Sequence, residues 1–90
     1  MIDVLSIVNL IKEKINKNQF YIEQEKEFEM LNNFLIEEDG DEIIKENVEL
    51  LTMMIENSLD KKFKIEFEFD GYGGRGYCFV QLKAIKLISI

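Results

Sequence analysis

Three short stretches carry residue types that could do chemistry. The first is "GYGGRGYCFVQL" (71–82), with Gly71, Gly73, Gly74 and Gly76 crowded together. Glycine-dense backbone can wrap a phosphate, its N–H groups pointing at the anion, when a strand precedes it and a helix opens after it. Here a strand pattern follows and no "GK[ST]" occurs. The stretch therefore reads as the turn of a hairpin, in which glycine visits φ > 0 without strain. The second stretch is "EEDGDE" (37–42), whose acids suggest calcium. An EF-hand loop needs glycine at its sixth position and glutamate at its twelfth, and neither requirement is met. The third is Cys78, the one cysteine. It can form no internal disulfide, and a strand position facing inward makes it an inert packing residue. Histidine is absent, which excludes imidazole acid–base catalysis, Ser–His and Cys–His nucleophiles and conventional zinc sites. No enzyme activity, cofactor or metal is expected.

Charge is more informative than motif. The net charge is −7 over 90 residues, but it is unevenly spread. Residues 1–22 set Asp3 and Glu13 against Lys12, Lys14 and Lys17, a net of +1. Residues 23–56 hold twelve acids against Lys26 and Lys45, a net of −10. Residues 57–90 return to +2. The middle block repels nucleic acid and attracts basic surfaces.

These residues must be positioned by a fold of modest size. Ninety residues with 47% apolar content make one domain with its own core. The start "MIDVLSIVNLIKEK" lacks a basic n-region and a cleavage site, and no apolar run is long enough to span a bilayer. A cytoplasmic protein without membrane contact is expected, and the Ile/Lys/Asn/Glu-rich, proline-free composition is that of an AT-rich bacterial or phage genome.

Asp3 caps a first helix in which Val4, Ile7, Val8, Ile11 and Ile15 recur at helical spacing, with Asn18 as its stop. "QFYIE" (19–23) is a short strand. Residues 24–37 fit a helix through Phe28, Leu31, Phe34 and Leu35. The alternative is an acid-faced strand, since Glu23, Glu25, Glu27 and Glu29 share a parity. Asp39 and Glu42 have capping-box spacing, so the next helix should span about 41–58. Ile44, Val48, Leu51, Ile55 and Leu59 form its stripe, widened by Ile43, Leu50 and Met54. "FKIEFEFD" (63–70) alternates perfectly, and residues 77–88 form its partner strand. Setting Phe69 opposite Cys78 places Phe67 with Val80, Ile65 with Leu82 and Phe63 with Ala84, leaving 70–77 as the loop. The architecture is α+β: a small antiparallel sheet, made of the C-terminal β-hairpin and the strand near 19–23, packed against two or three helices.

The eight residues "RGYCFVQL" (75–82) resemble the octapeptide of the RNA recognition motif family at seven places, Leu82 standing where an aromatic is expected. The resemblance implies base stacking on Tyr77 and Phe79. It also implies a β-α-β-β-α-β domain with a helix and strand after the octapeptide, whereas eight residues follow Leu82. Glu66 and Glu68 on the same face would repel phosphates.

The expected role is a small acidic protein-binding module without direct nucleic-acid contact. It is similar in size, charge and layout, though in no motif, to phage anti-CRISPR proteins and bacterial toxin-immunity proteins. Such a module docks on a basic protein, a nucleic-acid-binding enzyme or a toxin. Two surfaces are candidates: the acidic stretch of Glu23, Glu25, Glu27, Glu29, Glu37, Glu38, Asp39 and Asp41, and the hairpin residues Tyr72, Arg75, Tyr77 and Phe79. The alternative roles are a homodimer paired through the aromatic strand, and RNA binding through "RGYCFVQL".

Overall fold

The computed structural model describes residues 2–74 and 77–90, the side chains of 72–74, 77 and 78 excepted. Its elements are α1 (Val4–Asn16), β1 (Tyr21–Glu23), α2 (Glu27–Leu35), α3 (Lys45–Ser58), β2 (Phe63–Gly74) and β3 (Tyr77–Ser89). The fold is α+β, with an antiparallel sheet in the order β1-β3-β2 and a long β2–β3 hairpin. This element order differs from the β-α-β-β-α-β arrangement that the octapeptide implies. Among the described residues, no helix is long and apolar enough to cross a membrane.

α1 begins where expected. The Asp3 carboxylate accepts from the Ser6 N–H at 3.2 Å, satisfying one of the donors that a helix start leaves free. Asn18 takes a left-handed φ of 58° just past the helix end. Residues 27–35 are helical, so the acid-faced strand alternative is set aside: Phe28, Leu31 and Leu35 are buried one turn apart, a period that only a helix supplies.

The core joins Ile7, Ile11, Leu31, Leu35, Leu51 and Ile55 from the helices to Ile22, Ile65, Leu82, Ile85 and Leu87 from the sheet. All three helices lie on one face of the sheet. The other face carries Tyr21, Glu23, Lys64, Glu66, Glu68, Ala84 and Lys86.

Three expectations fail. The first is α3, which opens at Lys45 rather than 41, with Ile44 at its N-cap and no side-chain cap bond. Residues 36–43 instead close as a loop on an Ile36–Ile43 bridge, with Glu37 N–H donating to Glu42 O at 2.8 Å. Pairing two isoleucines outcompetes a capping box made of exposed carboxylates. The second is the widened stripe of α3: Ile43, Leu50 and Met54 are exposed, while Leu51, Ile55 and Leu59 are buried.

The third is the hairpin register. Phe69 pairs with Leu82 rather than Cys78, Phe67 with Ile85, Ile65 with Leu87 and Phe63 with Ser89. The ladder runs to Gly74–Tyr77, so Gly71, Gly73 and Gly74 are strand residues and not a loop. Arg75 and Gly76 lie outside the described residues. A register shift after Glu68–Ala84 leaves Lys83 unpaired. This bulge places Leu82 and then Ile85 and Leu87 on the core face, which a strict alternation cannot do.

Candidate functional site

The candidate acids of the middle block fall into four settings. Glu25 is an internal partner: Lys14 Nζ lies 2.6 Å from its carboxylate, and this hydrogen bond raises the lysine's pKa. Glu27 and Glu29 occupy the first turn of α2, where negative charge complements the helix dipole. Glu23 stands on the helix-free sheet face. The fourth setting, the 36–43 loop, groups the exposed acids Glu37, Glu38, Asp39 and Asp41 on one support.

That loop is built from backbone upward. Ile44 N–H donates to Leu35 O, and Gly40 N–H to Glu37 O, both at 2.8 Å. Gly40 has φ +77°, a conformation that side-chain-bearing residues rarely adopt. A Cβ there would meet the Phe79 ring only at 3.5 Å, so conformation and not space demands the glycine. Gly40 O in turn accepts from Val80 N–H at 2.7 Å. The acidic loop is thereby fastened to the hairpin. Glu37, Glu38, Asp39 and Asp41 are exposed beside Phe79, which is itself 48% exposed.

The structure thus joins two surfaces that the sequence treats as separate, but only in part. Phe79 belongs to the joined surface. Tyr72 and Tyr77 are placed by backbone alone, opposite Phe79 and Gly74. Their side chains, that of Cys78 and the whole of Arg75 lie outside what is described.

Asn32 is a residue that sequence reasoning missed. Its Oδ1 accepts from Leu82 N–H at 2.7 Å, next along β3 from the Gly40 contact. Asparagine in mid-helix is a poor helix former, and that is the one signal of such a task. On the helix-free face, Tyr21 Oη donates to Glu68 Oε2 at 3.2 Å. Burial, and then the Glu68 carboxylate, push the Tyr21 phenol pKa up, so it stays a donor. Ala84 sits on this face between Glu23 and Glu68 and is nonetheless fully covered.

Among the described residues, no cluster of His, Cys, Asp and Glu could hold a metal ion. A depression of about 450 Å³ beside α2 is lined by Ile2, Lys26, Glu29, Met30, Asn33 and Phe34. Compared with known protein families, with curated proteins and with solved structures, the chain finds no match in any of them.

Proposed function

We propose that this chain is an acidic protein-binding module of the inhibitor or immunity type, anti-CRISPR-like or antitoxin-like, with no enzymatic activity of its own. Its partner presents a basic surface of the kind that otherwise receives nucleic acid. One observation carries the reading: the Gly40–Val80 hydrogen bond holds the exposed acids of the 36–43 loop and the exposed Phe79 together on one support. Fixed carboxylates lose little freedom on docking and speed encounter with a basic surface, while a neighbouring aromatic supplies contact area.

The test is capture of a partner from a bacterial lysate on the immobilised protein, repeated with Glu37→Gln, Glu38→Gln, Asp39→Asn and Asp41→Asn combined. The intact protein should retain a basic protein whose association rate falls with salt, as charge is screened over about 8–10 Å at ordinary ionic strength. The neutralised variant should associate more slowly and with a flatter salt dependence. Capture independent of both salt and the four acids would overturn the reading. Direct RNA contact through Phe79 is a weaker reading, because Glu66, Glu68 and Asp70 share its sheet face and repel phosphates.

A further inference from the structure

β2 is an outer strand of the sheet, and among the described residues its outward edge is closed at one point only. Ile65 N–H points away from β3 and donates to Glu56 Oε2 of α3 at 2.9 Å. Lys62 O points the other way and accepts from Ile90 N–H at 3.1 Å. Backbone groups alternate sides along a strand, so those of Phe67, Phe69 and Gly71 also point outward. Among the described residues, none takes them up.

Such an edge is a template for another strand, and proteins usually blunt it with Lys, Pro or a covering element. Here the solvent face beside it carries Glu66, Glu68 and Asp70, while the rings of Phe67 and Phe69 are half-buried on the core face. These charges argue against a second copy. Antiparallel self-pairing about Phe67 sets Glu66 against Glu68, and pairing about Phe69 sets Glu68 against Asp70. Pairing about Phe67 sets Lys64 against Asp70 only farther out, and the register whose pairs nearest the centre are matched, Lys64 against Glu66 and Lys62 against Glu68, centres on Ile65, whose N–H Glu56 already holds. Like charges directly opposite destabilise a pair and opposite charges support it.

We infer that the β2 edge at Phe67–Gly71 accepts an extended segment of a partner protein in which basic and apolar residues alternate. Main-chain hydrogen bonds join the segment to the edge. Its basic side chains meet Glu66, Glu68 and Asp70, and its apolar ones meet the exposed rims of Phe67 and Phe69. This deepens the proposed function and rests on it, since it names the part of a basic partner that is grasped.

The probe is a fluorescein-labelled peptide of alternating Lys and Val, compared with a peptide of the same composition in Lys and Val blocks. Binding is read by anisotropy, and its place by amide hydrogen exchange. The alternating peptide should bind about tenfold more tightly than the block peptide. It should also slow exchange at the amides of Phe67, Phe69 and Gly71. The double variant Glu66→Lys, Asp70→Lys should lose that preference while its far-UV spectrum stays native, and a peptide alternating Glu and Val should then bind instead. Slowed exchange confined to the 36–43 loop would overturn the edge inference and leave the acidic-loop reading standing. Failure of the alternating peptide to bind would also overturn it, and lysate capture then judges the broader reading separately. Protection of the same edge amides in the free protein, with a dimer in sedimentation, would show a second copy as occupant and sink the inference.

Discussion

On the β3 side of the sheet, Phe20 O takes the Leu87 amide, Asn32 Oδ1 that of Leu82 and Gly40 O that of Val80. On the β2 side, Glu56 takes the Ile65 amide and no described residue continues the series. The two sides belong to one hairpin, yet one is sealed by a loop, a helix and a short strand while, among the described residues, Glu56 alone closes the other. Sealing follows connectivity: the segment entering β1, α2 and the 36–43 loop precede the hairpin and take the β3 amides, while α3 leads into β2 and supplies Glu56. The comparison teaches that polar contacts in this molecule differ in worth according to whether water can replace them.

The sharpest test of that comparison is the apolar floor common to both sides. Ile85 is fully buried at the centre of the sheet, between Ile22 and Phe67. Ile85→Ala should destabilise by roughly 2–5 kcal/mol in urea denaturation. Phe67→Ala should cost less than a fully buried ring does, because Phe67 is only half-buried at the open edge. Equal or reversed effects would mean that the two strands share their burial more evenly than the structure shows.

Next in size is the sealed side itself. Asn32→Ala leaves the Leu82 amide without its acceptor in a part-buried position. A loss of about 1–3 kcal/mol is expected, with faster exchange of that amide. On the β2 side, Glu56→Ala frees an amide that is likewise part-buried, so a loss of the same order is expected. A loss for Asn32→Ala well above that for Glu56→Ala would show that the β3 side covers its amides better than the β2 side does.

The smallest effect belongs to a polar contact with no cover at all. Hydrogen bonds from the Ser6 side chain and then the Ser6 backbone lower the Asp3 pKa below 3.8, its ordinary value. A carboxylate held below its unfolded value adds stability above about pH 3.8, and that contribution is lost as pH falls through its folded value. Asp3→Ala should therefore lower the melting temperature slightly at pH 7 and leave it unchanged at strongly acid pH. A difference that persists in acid would assign the effect to something other than the charged cap.

Much of this fold was legible in the sequence wherever a single local period decided the outcome. Asp3, the stripe of α1, the buried face of α2 and the alternation of 63–70 are such cases. The hairpin register was not, because two apolar pairs, Leu82 with Ala84 and Ile85 with Leu87, compete for one face. The inserted Lys83 resolves the competition in favour of Leu82, Ile85 and Leu87. A phase slip between "VQL" and "IKL" was the available sign. Nor was the joining of the acidic loop to the hairpin legible, since the Gly40–Val80 bond spans forty residues of chain and pairs backbone atoms that carry no sequence signature. The capping-box spacing at Asp39 misled for the opposite reason: a local pattern was present, and a bridge between Ile36 and Ile43 overrode it.

Lys83 also has a consequence in leverage. The described protein measures 43 × 23 × 22 Å, and the ladder beyond the bulge, from Phe69–Leu82 to Gly74–Tyr77, runs on from its compact part. At about 3.4 Å per residue, that arm is about 20 Å long. A bulge bends its strand and sharpens the local twist, so it works as an elbow. By that length, a bend sharper by about 10° would place the far end of the ladder about 3 Å to one side. Removing Lys83 would restore an unbroken ladder with Leu82, Ile85 and Leu87 still facing the core, yet it would swing the arm out of its aim. One inserted residue therefore sets the aim of the hairpin, which the Asn32–Leu82 and Gly40–Val80 bonds then hold.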